Sequence, residues 1–219
     1  SDLGERSDRE ARVGYYRNQQ RIRRVSLAAP GVVAAPRWPR PIFIPGELMV
    51  RAPLLDMRQA GHYRHDLGLR AAVLDHVSES VSRIDDDVVL FAHSLGSVVA
   101  LDALHLRQLQ VAMLITFGSP LGIRHFWGHH WEGSEDFPFG RVGGWLNVVN
   151  TKDPVPWQRG LSNRFPTAVD AFIAAGLANG KTPHQMVRMF VEDETEALDP
   201  AAMLRPARHL LARALRSAP

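Results

Sequence analysis

The sequence predicts an α/β domain with a mostly parallel sheet flanked by helices, and three stretches carry that prediction. Val88–Phe91, Val111–Phe117 and Trp145–Val149 are continuous apolar runs rich in β-branched residues, the pattern of strands buried on both faces. Helical stretches at 54–83 and 97–109 precede and follow the first run. Strand, helix, strand in that order argues a parallel sheet. At 219 residues, 45% apolar and 22% charged, the chain is long enough to bury one sizeable core as a single domain over 1–219.

The elements follow in chain order. Residues 2–24 read as a polar helix, and positions 1–24 carry seven Arg against four acids, which accounts for the whole net charge of +3. Acids and arginines at helical spacing make this a solvated face, with docking of another protein as the functional alternative. Lys occurs only at 152 and 181, so the high isoelectric point reflects arginines that do not deprotonate, and nucleic acid is not expected as a partner. Five prolines between 29 and 45 forbid regular helix there; Pro41–Ile44 and Val25–Ala29 are short strand candidates. Residues 54–83 place Leu67, Ala71, Leu74, Val77 and Val81 on one helical stripe. The interval 122–144 is aperiodic and rich in Trp, Phe, His and Gly. Two further helices are expected at 168–178 and 200–216, the second interrupted near Pro206.

The chain has no cysteine, which excludes disulfides, thiolate catalysis and thiolate metal sites. No run approaches the ~18 apolar residues of a membrane span, and the first ten residues are the opposite of a secretory signal. A soluble, cytoplasmic protein without a transmembrane segment is expected. Because the chain starts at Ser1, removal of an initiator methionine or a longer leader is expected too.

The strand Val88–Phe91, introduced by Asp85, Asp86 and Asp87, runs into Ala92-His93-Ser94-Leu95-Gly96 and then a helix. Ser94 therefore sits on a strand–turn–helix elbow, which favours small residues two before and two after the serine, here Ala92 and Gly96. The competing reading is a serine in an ordinary βα loop. Reactive groups in parallel α/β sheets gather beyond the carboxyl ends of strands. Asp153 follows the 145–149 strand and His184 follows Gly180–Pro183. The chain order Ser, Asp, His is that of α/β hydrolases.

The segments AHSLGSVVALDAL, LITFGSPLGI, WLNVVNTKDPVP and TPHQMV, within about 88–190, resemble successive blocks of a bacterial α/β-hydrolase family related to lipases and esterases. The resemblance implies Ser94 as nucleophile, Asp153 as the acid, His184 as base, and a Gly118–Gly122 turn that shapes the site. Such enzymes also have an early strand ending in a His-Gly turn that donates an oxyanion amide. Here only Pro45-Gly46 stands in that region, so the first strands are expected to be absent or rebuilt. The Leu95 amide, at a helix N-terminus, is the other oxyanion donor, and one such donor contributes about 3–4 kcal/mol in the transition state.

Asp170 is the runner-up acid, with an N-terminal place in the 168–178 helix as its structural alternative. His93 is an elbow neighbour packed under the site, and His62, His65, His76, His105 and His209 read as solvated. His125, His129 and His130 with Glu132, Glu135 and Asp136 resemble a metal set only superficially, since no regular scaffold spaces them; no metal or cofactor is expected. The 122–144 loop reads as a lid whose rings cover an acyl pocket, or as a surface loop packed on the core. Candidate pocket residues are His93, Ser119, Pro120, Leu121, Trp127 and Trp131.

The expected activity is hydrolysis of a small-molecule or lipid-like acyl ester through an acyl-enzyme. A peptidase or acyltransferase would use the same groups, and a non-catalytic interaction module is the alternative from another class. The sheet raises one further expectation. Few strand candidates precede Val88–Phe91, so either residues 25–46 or a missing segment or partner chain must cover its open edge, and the prolines favour the second.

Overall fold

Runs that are apolar at every position can be buried on both faces only inside a sheet with helices on either side. Met113–Phe117 and Trp145–Asn150 are such runs, and every residue of both is buried. The computed structural model describes residues 2–28, 32–35, 57–123, 137–156, 160–174 and 184. The helices are α1 (Asp2–Leu27), α2 (Met57–His65), α3 (Leu67–Ser82) and α4 (Leu95–Leu106). The strands are β1 (Val32–Val33), β2 (Val89–His93), β3 (Met113–Phe117), β4 (Trp145–Asn150) and β5 (Val169–Ile173), with a short 3-10 turn at Pro120–Gly122.

The five strands form one sheet in the order β1-β5-β4-β3-β2. Strands β2 to β5 run parallel, and β1 is antiparallel to β5. This is a mostly parallel α/β architecture. The register sets His93 opposite Phe117, Phe117 opposite Val148, and Val148 opposite Ala171. The carboxyl ends of the strands therefore open along one edge of the sheet, which gathers the residues that follow them.

Four expectations are corrected. Residues 168–178 were expected to be helical, yet Val169–Ile173 is a strand: Val169, Ala171 and Ile173 are buried while Asp170 and Phe172 are only partly so. Pairing along β4 overrides the local helix preference of the alanines. The 54–83 stripe breaks into two helices at Asp66, whose extended backbone and side chain, accepting from the Leu69 amide at 2.9 Å, start α3. Strand β2 is not buried on both faces, because it is the last strand of the sheet among the described residues, and Phe91 is 40% exposed. Residues 25–27 are the last turn of α1 rather than a strand, and Val32–Val33 pairs with β5 at the far side of the sheet, not with β2. Pro41–Ile44, Pro45-Gly46 and the 200–216 helix lie outside the described residues.

Helix α1 is more than a solvated face. Tyr15, Gln19, Ile22 and Ser26 recur at spacings of four, three and four and are buried. The Tyr15 hydroxyl donates to the Thr167 carbonyl at 2.6 Å. The Gln19 amide donates to the carbonyls of Trp145 and Thr167, and its Oε1 accepts from the Trp145 N–H. Gly144 carries no side chain because a Cβ there would collide with Ile22. The arginines at 9, 12, 17, 21, 23 and 24 face outward.

Helix α4 packs on β2 through Val98, Leu101 and Leu104, and α3 covers α4 with Leu74. Full burial of one such side chain is worth about 1.5–3 kcal/mol. Asp102 of α4 is almost fully buried, accepts from the Tyr63 hydroxyl at 2.8 Å and pairs with Arg70 at 2.9 Å. These contacts tie α2 and α3 to the helix that carries the elbow. Burial first, and then the Asp102 carboxylate, push the Tyr63 phenol above its ordinary range. No helix among the described residues is long and apolar enough to cross a membrane.

Candidate active site

The turn from β2 into α4 is tight, and Ser94 absorbs it. Its backbone lies at φ 52, ψ −126, the conformation of the first central residue of a II′ turn, where glycine dominates. Holding a serine there costs on the order of 1–3 kcal/mol and requires support from its surroundings. That support is visible. The Ser94 amide donates to the Phe117 carbonyl at 2.9 Å, extending the β2–β3 ladder past the strand end. The Ser94 carbonyl accepts from both the amide (3.0 Å) and the hydroxyl (2.6 Å) of Ser97. The Ser97 hydroxyl also contacts that of Ser119 at 2.7 Å, and Ser119 caps the Pro120–Gly122 turn.

Ala92 is buried as the elbow requires, but the steric expectation does not hold at Gly96: among the described residues a Cβ there would meet no atom within 4 Å. The crowded glycine is Gly118, at φ 52. A Cβ at Gly118 would lie 2.8 Å from Asp153 Oδ2 and 2.9 Å from His184 Nδ1 and Cε1. The turn after β3 therefore shapes the site by leaving room for two other side chains.

Asp153 follows β4 and has no solvent exposure. Its Oδ1 accepts from the Val155 amide at 2.9 Å, and its Oδ2 faces His184 Nδ1 at 2.9 Å. Nε2 of His184 lies 2.8 Å from Ser94 Oγ. With Asp153 as a carboxylate, His184 Nδ1–H donates to it, which leaves Nε2 to accept from the Ser94 hydroxyl. The structure thus joins the three residues singled out in the sequence, Ser94, Asp153 and His184, by two hydrogen bonds. The Leu95 amide opens α4, where first-turn N–H groups lack intrahelical acceptors.

Asp170 does not reach His184. Its carboxylate accepts from the Leu161 and Ser162 amides at 2.7 and 2.9 Å and from the Asn147 side chain at 2.8 Å, and it fills the space beside Gly160. It ends a buried polar ladder across the sheet: Trp145 Nε1 donates to Thr116 Oγ1, which donates to Asn147 Oδ1. This is loop anchoring, not an acid partner for the histidine. Asp170→Ala is accordingly expected to cost about 2 kcal/mol of stability by orphaning these donors, while Asp153→Ala leaves stability less changed but removes the reactivity of Ser94. Denaturant midpoints and Ser94 labelling rates of the two variants check this; an Asp170 variant that loses labelling while Asp153→Ala keeps it would exchange their roles.

Ser119, Pro120 and Leu121 are buried beneath the elbow, so they support it and do not line an open pocket. His93 is half-buried and turned to His184, its Nε2 2.7 Å from the His184 carbonyl. His62, His65 and His76 are exposed, whereas His105 is partly buried, not solvated. Trp127, Trp131, His209 and the His/Glu set of 125–136 lie outside the described residues. Sequence reasoning missed the bracing role of Ser97 and Ser119 and the crowding at Gly118. Ser97 was legible in principle, three positions after Ser94 on a helix; Ser119 needed the β3 turn to be placed beneath α4.

The chain matches no protein-family model, no curated protein and no solved structure. What the site does must therefore be argued from its own groups.

Proposed function

We propose that the chain is a serine hydrolase that cleaves a carboxylic ester through an acyl-enzyme on Ser94. The observation that carries this reading is the Asp153–His184–Ser94 hydrogen-bonded chain ending on a serine held in a glycine-like backbone conformation. In the first half-reaction Ser94 Oγ attacks the ester carbonyl carbon as His184 Nε2 takes the hydroxyl proton. The tetrahedral intermediate collapses, the C–O bond to the leaving group breaks, and His184 returns the proton to the departing alkoxide. Water then repeats the sequence on the acyl-Ser94 ester, releasing the carboxylic acid and the free serine. Asp153 holds the tautomer and stabilises the imidazolium. The Leu95 amide is the oxyanion donor within this reading, aided by its place at a helix N-terminus.

A peptidase or acyltransferase would use the same steps with an amide or a different acceptor. The Oγ to Nε2 distance favours an activated nucleophile over a non-catalytic interaction module. A fluorophosphonate probe separates the two: covalent labelling at Ser94, mapped by peptide mass spectrometry and lost in His184→Ala, is the expected result. A folded protein whose Ser94 stays unlabelled at millimolar probe would end the hydrolase reading.

A further inference from the structure

We propose that His93 is a positioning residue, which holds the main chain of His184 by a hydrogen bond and thereby keeps the base aligned with Ser94. The inference rests on the hydrolase reading of that site and adds a residue to it. His93 Nε2 lies 2.7 Å from the His184 carbonyl oxygen, and the two imidazole rings face each other with centroids 4.7 Å apart and planes tilted by 34°. A carbonyl oxygen only accepts, so His93 Nε2 carries the proton and donates. Burial is the main influence on the His93 imidazole and lowers its pKa, so the donor is the neutral ring and no second cation faces the base.

His184 is thereby tied at three atoms. Nδ1 bonds Asp153, Nε2 meets Ser94, and the carbonyl oxygen accepts from His93. The second and third ties lead to consecutive residues at the end of β2, which is locked in register with β3 through His93 and Phe117. Nucleophile and base backbone therefore ride on the same rigid strand end, and a small displacement of that end moves both together. Without the His93 donor, the ring of His184 would still contact Asp153, but the residue carrying it would lose its only described tie to the strand that presents the serine. Reactions that depend on near-attack geometry are sensitive to misplacement at this scale, about 100-fold for ~1 Å.

Three variants of the full chain separate the hydrogen bond from the ring packing. His93→Ala removes both, His93→Phe keeps a ring without a donor, and His93→Gln keeps an N–H donor without the ring. With p-nitrophenyl acetate, His93→Ala and His93→Phe are expected to lower kcat by about 10- to 100-fold with KM within about twofold, and His93→Gln to recover most of the loss. The downfield proton resonance of His184 Nδ1–H provides a readout that does not depend on turnover: it should broaden or vanish in the Ala and Phe variants and persist in the Gln variant. If wild-type protein shows the resonance but neither turnover nor labelling, the hydrolase reading fails while the resonance still tests the tether. A His93→Phe variant with wild-type kcat and resonance, or a folded His93→Gln variant as impaired as His93→Ala, overturns the proposal.

Discussion

Ser94→Ala is expected to lower ester turnover by at least about 10⁴-fold, more than ~5 kcal/mol of transition-state stabilisation, while the protein stays folded. The covalent route needs an oxygen at this position, and Ser94 Oγ is the atom that His184 Nε2 faces at 2.8 Å. Stability should change little for a specific reason. The contacts that hold the turn are made by the Ser94 backbone, through its amide to Phe117 and its carbonyl to Ser97, and alanine keeps all of them. Alanine also suffers the same strain at φ 52 that serine does. Hydrolysis of short p-nitrophenyl esters and a thermal melt measure the two halves of this expectation. A variant retaining more than about a tenth of the wild-type rate, a loss of only ~1.4 kcal/mol, would remove Ser94 from the chemistry.

Gly118→Ala is expected to have the second largest effect, at least about 100-fold on kcat/KM. Two costs combine at this position. A residue with a Cβ at φ 52 loses roughly 1–2 kcal/mol relative to glycine. The added methyl would also sit at 2.8 Å from Asp153 Oδ2 and 2.9 Å from His184 Nδ1, on either side of the hydrogen bond between them. Asp153 has no free space to retreat into, being fully buried and held by the Val155 amide. The imidazole is the group that gives way, which lengthens its contact with Ser94. The expected signature is a sharp fall in Ser94 labelling with a modest drop in melting temperature, and a variant that labels at the wild-type rate would show that the contact between the turn and the histidine is not maintained in solution.

The strand ends and the serine between them were legible because their signals are local. Continuous apolar runs at 113–117 and 145–149 dictate burial on both faces, and a small-residue turn between a strand and a helix dictates where Ser94 stands. The order Ser94, Asp153, His184 was legible too, since parallel strands deliver whatever follows them to one edge. Asp170 was misplaced because Ala168, Ala171 and Ala174 favour helix locally, and only the neighbouring strand β4 made 169–173 extended. The same long-range pairing, not any local pattern, sent Val32–Val33 to β5 and left β2 at the margin of the described sheet.

By itself, then, the sequence determined which residues are chemically able to react and on which turns they lie, because turn geometry and burial depend on near neighbours. Only the tertiary structure decided which of them meet. The bond from Asp153 to His184 spans 31 positions and that from Ser94 to His184 spans 90. The crowding at Gly118, the bracing of Ser94 by Ser97 and Ser119, and the hold of His93 on the His184 carbonyl likewise arise where separate strand ends converge, and contacts of that kind are set by the packing of the sheet as a whole.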